Sequence, residues 1–313
     1  MRLVFVHGIH EEHKAPAALR QTWENALLSA WDAAGLAKPD YTLEMPYYGN
    51  LLARLAVHVR GMVSHSGAAG LVTRVEHALI RDVGKVIGID ETQFSDELAE
   101  GVVRSDFAEC EWVQGIFRFL ERDIPGFGPV LLSFARQVDA YLTSPRIRAA
   151  VDNIVRPPLL DGPTVIVAHS LGSVIAYRLL RQIETRADVP LLVTLGSPLG
   201  ICTIKEHLSP PSLAVPPAVE AWLNATDERD CVALHSHLDR DTFADGIENV
   251  ADVCHTKDNP HEIADYLSHA TVAQRIHAAL SCGVVAIPRA RGSACHGRAA
   301  SSQIAAPRRR TPA

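Results

Sequence analysis

The sequence predicts an α/β fold, a mostly parallel sheet flanked by helices and interrupted by a large helical insertion. Three observations carry this. Apolar, β-branched runs end in small or polar residues, as strands buried on both faces do. Helical patterns alternate with those runs, which implies parallel strands joined by crossover helices. A long middle stretch holds only helical spacing. In chain order, Leu3–Val6 is the first strand, stopping at His7-Gly8, and Pro16–Ala34 is the helix after it. Tyr41–Met45 is a further strand candidate before the turn Pro46-Tyr47-Tyr48-Gly49. Thr164–Val167 forms a strand before Ala168-His169-Ser170, followed by a helix over Leu171–Arg186. Leu191–Leu195 ends at Gly196-Ser197-Pro198. Glu220–Asn224 is a fourth strand, Val250–Cys254 a weaker fifth, and Glu262–Leu280 the closing helix.

The stretch 50–161 breaks this rhythm. Leu71, Val72, Val75, Leu79, Val83 and Val86 recur at helical spacing, as do Trp112, Ile116 and Leu120. Val130, Leu131, Phe134, Val138 and Tyr141 do so again, after the punctuation Ile124-Pro125-Gly126-Phe127-Gly128-Pro129. A connection of that length suggests a helical insertion or cap over a site; the alternative is that these helices simply flank the sheet. The expected organisation is a core of residues 1–49 and 162–282, an insertion of 50–161, and a disordered basic tail of 283–313.

Composition narrows the function classes. The 313 residues are 47% hydrophobic and 21% charged, with mean hydropathy +0.06, which describes a globular protein with ample core. No run of apolar residues is long enough to span a membrane, and the opening apolar run is too short for a signal peptide. Six cysteines (Cys110, Cys202, Cys231, Cys254, Cys282, Cys295) lack Cys-x-x-Cys spacing, which suits reduced thiols and a cytoplasmic location better than a disulfide framework. The net charge of −6 is uneven: residues 283–313 hold six arginines and no acid, so the remaining 282 residues carry 24 basic against 36 acidic side chains, net −12. A body that acidic repels a phosphate backbone, and nucleic acid is not an expected partner.

The chemistry concentrates at Thr164-Val165-Ile166-Val167-Ala168-His169-Ser170-Leu171-Gly172-Ser173, which reads as strand, tight turn and helix with Ser170 at the turn. That context is required of a nucleophile elbow, where small residues two places either side (Ala168 and Gly172) let strand and helix pass closely. A serine hydroxyl barely ionises at neutral pH, so it needs a base, and the base needs an orienting carboxylate. In sheets with such an elbow, acid and base follow in the order Ser, then Asp or Glu, then His. After the fourth strand come Asp227-Glu228-Arg229-Asp230-Cys231-Val232, with Asp230 the first candidate acid and Asp227 the runner-up. Beyond the fifth strand, Asn259-Pro260-His261-Glu262 places His261 on a turn before the last helix. His255, near the strand end, and His269, expected inside the helix, compete with it. Oxyanion donors would be the N–H groups of Leu171, at the helix start, and Ile9, in the loop His7-Gly8-Ile9-His10.

With these residues the chain resembles an α/β-hydrolase of the lipase/esterase group. Val6-His7-Gly8-Ile9, Ala168-His169-Ser170-Leu171-Gly172, Asp230 and His261 fall on that family's motif positions, and the Ala-His-Ser-x-Gly form resembles the elbow of some small bacterial lipases. The resemblance covers residues 1–49 and 162–280; the insertion lies outside it, and the family's two opening strands are missing, as in its smaller members. It implies an α/β-hydrolase fold and a serine hydrolase acting without a cofactor on a small-molecule carboxylic ester, acyl lipids included. Thr194-Leu195-Gly196-Ser197-Pro198-Leu199-Gly200 would shape the pocket, and Ser197, which precedes proline, is not the expected nucleophile.

Other readings remain open. The same triad serves peptidases and amidases, and a hydrolase-like fold can survive as a binding or scaffold module. His235-Ser236-His237-Leu238-Asp239-Arg240-Asp241 nearly spells a zinc motif of the metallo-β-lactamase type, but Arg240 occupies a ligand position and cannot ligate. No metal is therefore expected, and His7, His10 and His13 are expected as polar lining. Protein partners are not readable from the sequence.

Overall fold

The structure is a computed structural model that describes residues 1–56, 73–86, 127–160, 162–183, 188–255 and 259–281. The expectations placed on Leu71, Val72, Trp112, Ile116, Leu120, the Ile124–Gly126 punctuation and the 283–313 tail lie outside those residues. Six strands, β1 (Arg2–Val6), β2 (Thr42–Glu44), β3 (Thr164–His169), β4 (Leu192–Leu195), β5 (Trp222–Ala225) and β6 (Ile247–Val250), form one sheet in the order β2-β1-β3-β4-β5-β6. Every pairing is parallel. An α/β fold is thus what the chain adopts.

Parallel strands buried on both faces need apolar residues at every position, and alternate side chains must then serve opposite layers. Val4, Val6, Ile166, Ala168 and Leu192 point into one core, whereas Leu3, Phe5, Val165, Val167 and Val193 point into the other. The second core is closed by α1 (Pro16–Ala33), whose Leu19, Trp23, Leu27 and Trp31 recur every fourth residue and make one apolar stripe. Trp31 Nε1 donates to the Ala273 carbonyl at 2.8 Å, tying α1 to the C-terminal helices.

The first core is closed by α2 (Arg74–Val86), α3 (Phe127–Thr143), α4 (Pro145–Leu160), α5 (Leu171–Arg181) and α6 (Cys202–Leu208). A capping box starts α2: the Thr73 hydroxyl accepts the Glu76 N–H at 3.0 Å, and Glu76 accepts the Thr73 N–H at 3.2 Å. The described helices of the insertion share this core with the sheet, through residues such as Leu79, Val83, Phe134, Val138, Val151 and Val155. A buried polar knot reinforces the attachment: Asp152 on α4 accepts from Tyr141 Oη of α3 at 2.8 Å and from Arg178 of α5 at 2.6 Å.

Three boundaries differ from the sequence reading, the first being the helix after Ser170, which ends at Arg181 rather than Arg186. The last strand is Ile247–Val250, not Val250–Cys254. As the edge strand it is held by Asn249, whose Oδ1 accepts from Asn224 and from the Leu238 N–H, an interaction that hydrophobicity does not advertise. The closing helix is two helices, α7 (Ile263–Ser268) and α8 (Ala270–Ser281). His269, expected within a helix, is an extended joint whose N–H donates to the Tyr266 carbonyl and whose carbonyl accepts from Ala273. Among the described residues no helix is long and apolar enough to cross a membrane.

Candidate active site

In a parallel sheet all strands end at one edge, so loops far apart in sequence converge there. Ser170 follows β3 with φ 53° and ψ −129°, a left-handed conformation costing a non-glycine residue about 1–3 kcal/mol. Its N–H donates to the Leu195 carbonyl at 3.0 Å, and its carbonyl accepts the Ser173 N–H and hydroxyl at 2.9 and 2.6 Å. The turn is tight because α5 crosses directly over β1. A Cβ at Gly172 would run into the Val6 and His7 carbonyls, and one at Gly8 would lie 2.7 Å from Ser170 Cβ.

Asp230 and His261 are brought together. The turn Asn259-Pro260-His261-Glu262 closes when the Glu262 N–H donates to the Asn259 carbonyl at 3.2 Å, while Asn259 Oδ1 accepts the His261 N–H at 3.1 Å. Asparagine and proline are the residues that favour such a turn. His261 Nδ1 meets Asp230 Oδ2 at 2.7 Å. Asp230 Oδ1 accepts from the Val232 and Ala233 N–H groups at 2.9 and 3.3 Å, which fixes the carboxylate plane. With Nδ1 engaged by the carboxylate, Nε2 is the ring nitrogen left to act. That nitrogen and Ser170 Oγ are both buried, and neither has a hydrogen-bond partner, so the Ser170–His261 bond is not formed in this structure. Bonds of that kind often tighten only on substrate binding.

Asp227 sits three residues away and serves a different histidine. Its Oδ2 accepts from the His255 N–H at 2.9 Å and from His255 Nδ1 at 2.8 Å, while Arg229 clasps it through backbone and guanidinium. Burial works against the charge, but the bonds from Arg229 and His255 outweigh it and hold the carboxyl well below the usual range. Of the acid and base candidates, Asp230 thus pairs with His261 and Asp227 with His255. His269 instead approaches Asp252 at 3.5 Å.

The loop after β1 carries the Ile9 amide. Its Ile9–His10 corner has His10 at φ 61°. Among the described residues, neither the Ile9 nor the Leu171 N–H donates to another backbone group. His7, expected as lining, is instead fully buried beneath this loop. Its ring stacks on Tyr48 at 4.0 Å, its Nδ1 meets the Gly8 carbonyl at 2.8 Å, and its Nε2 accepts the Tyr48 N–H at 3.1 Å. Burial pushes its pKa down to about 4, against the raising effect of the Gly8 bond. In a trans peptide the carbonyl and the next N–H point opposite ways. Holding the Gly8 carbonyl therefore turns the Ile9 N–H to the other side.

Three further residues contribute: Tyr266 was not assigned from sequence, whereas Gly196 and Ser197 lie in the segment expected to shape the pocket. Tyr266 Oη donates to Asp230 Oδ2 at 2.7 Å and accepts the Asp227 N–H at 3.1 Å. Gly196, at φ 53°, leaves only enough room for the acid and base: a Cβ there would sit 2.8 Å from Asp230 Oδ2 and 3.1 Å from the His261 ring. Its place at a strand end before Ser197-Pro198 was the available signal. Ser197 itself bonds Ser173 Oγ at 2.7 Å, within a buried chain leading to the Ser170 carbonyl. In the His235–Asp241 segment, Asp239 accepts from Asp241, Thr242 N–H and Thr242 hydroxyl, and Arg240 pairs with Asp245. Among the described residues no group of three or more His, Cys, Asp or Glu side chains could hold a metal ion.

No protein-family model matches the chain, and no curated protein matches it.

Proposed function

We propose that the chain is a serine hydrolase of the α/β-hydrolase type, in the lipase/esterase group, that cleaves a carboxylic ester through an acyl-enzyme, acyl lipids being among its candidate substrates. One observation carries the reading. A serine in a strained strand–helix turn shares a strand edge with an imidazole whose Nδ1 is held by a buried carboxylate and whose Nε2 has no partner. Ser170 Oγ attacks the ester carbonyl carbon as His261 Nε2 takes its proton, and the Ile9 and Leu171 N–H groups stabilise the oxyanion. The protonated His261 then hands its proton to the leaving alcohol. A water deprotonated by His261 attacks the acyl-enzyme, releasing the acid and restoring Ser170. Asp230 holds the ring in the required tautomer and balances its transient charge.

The test is labelling of native protein with a small fluorophosphonate, with mass mapping of the modified residue, beside Ser170→Ala and a denatured control. Label on Ser170, lost in both controls, is the expected result; label on another serine, or none, overturns the nucleophile assignment. Turnover of p-nitrophenyl esters compared with p-nitroanilides then separates an esterase from an amidase acting through the same triad.

A further inference from the structure

His261 sits on a turn whose N-terminal side is held locally by Asn259, but its C-terminal side is held from elsewhere. The carbonyl of His261 lies 3.1 Å from His169 Nε2, and the next carbonyl, of Glu262, lies 2.8 Å from His255 Nε2. Carbonyl oxygens only accept, so both of these ring nitrogens carry the hydrogen. His169 is the residue immediately before Ser170, at the end of β3. His255 lies beyond β6 and is anchored by Asp227.

We propose that His169 and His255 are positioning residues that clamp the two consecutive carbonyls around His261 and so aim its ring at Ser170. The inference rests on the triad proposed above. A backbone held at its N–H by Asn259 and at its carbonyl by His169 has little freedom left in φ or ψ, and the Cβ direction follows from those angles. The clamp also links the two halves of the site: the neighbour of the nucleophile grips the residue that carries the base.

The two histidines are held in different surroundings. Burial, then the proximity of His261, holds the His169 pKa well below the ordinary histidine value, and its Nδ1 has no partner. It is a neutral ring packed 4.5 Å from the His261 ring, centroid to centroid, and it adds no repulsion when His261 is protonated during turnover. His255 is held from both sides, its Nδ1 against the Asp227 carboxylate and its Nε2 against the Glu262 carbonyl.

The experiment replaces each histidine by Phe, which keeps a ring but no donor, and by Gln, which keeps a side-chain N–H of similar reach. The readouts are kcat and KM for p-nitrophenyl butyrate and the far-downfield imidazole proton resonance of the His261–Asp230 bond. His169→Phe and His255→Phe should each lower kcat about 10- to 100-fold with KM within about twofold, the scale of a misplaced catalytic group. The resonance should broaden or vanish in both, and the Gln variants should recover most of both signals. Folded Phe variants with kcat and resonance like wild type would overturn the clamp. If the Phe variants fail to fold, the Gln variants decide, since loss of the resonance in a folded Gln variant would also overturn it. Failure of wild type to label on Ser170 or to turn over esters would instead strike the proposed reaction, because the resonance reports the clamp without any substrate.

Discussion

Lowering the pH should loosen the loop that carries the Ile9 amide, and His7 is the reason. Folded, its pKa is about 4 against an ordinary 6.5, because the ring is fully buried and its Nε2 already accepts the Tyr48 N–H. A second proton would set two donors against each other there. Between those two values the unfolded chain binds more protons than the folded one, so stability is full above about pH 6.5, falls as pH drops, and levels off below about pH 4. The whole interval is worth about 3 kcal/mol, and the part lost between about pH 7 and about pH 5 is about 2 kcal/mol. Urea unfolding at those two pH values should show that loss in wild type. The buried His169 adds its own contribution in the same direction, so the informative quantity is the difference between wild type and His7→Asn. Asn keeps a donor toward the Gly8 carbonyl but does not titrate, so its pH dependence should be shallower by about 2 kcal/mol. Equal slopes in the two proteins would refute the argument.

The remaining expectations concern the other arms of the site. Ser170→Ala should lower kcat at least ~10³-fold on any ester the protein turns over, with unfolding midpoints unchanged, because alanine keeps the Cβ and with it the strained turn. Asp230→Asn should cost far more activity than Asp227→Asn, because only Asp230 bonds His261; steady-state kinetics giving the reverse order would transfer the acid's role to Asp227. Gly196→Ala should reduce kcat about 10²-fold by pushing Asp230 and His261 apart, and a normal rate would show that the pair is free to yield. Tyr266→Phe should destabilise the fold by about 1–3 kcal/mol in urea unfolding, since the buried Asp227 N–H then loses its acceptor and Asp230 loses a donor.

Much of the molecule is legible from local pattern. Leu3–Val6, Thr164–Val167 and Leu191–Leu195 read as doubly buried strands because every position is apolar or β-branched, and each appears in the sheet within one or two residues of those bounds. Pro16 and the four-residue recurrence through Trp31 mark α1 as plainly. The small residues around Ser170 announce a tight strand–helix turn, because only small residues permit that close passage. These features depend on backbone propensity and periodicity, which act over a few residues.

The rest depended on what meets across the fold. An apolar helical face says that something is buried but not against what, so the insertion's described helices could be placed on the sheet only once Leu79, Phe134 and Val151 were seen in its core. The edge strand was misjudged by several residues because Asn249, a polar side chain bonded between strands, outweighs the apolar run after it. Asp227 and Asp230 are three residues apart, and His255 and His261 are six. Each acid is locally compatible with each base. Which pairs with which is set by where two turns arrive at one edge of a parallel sheet, with Tyr266 and Gly196 filling and emptying the space between them. Distances between such turns are properties of the packed sheet, and no window along the chain contains them.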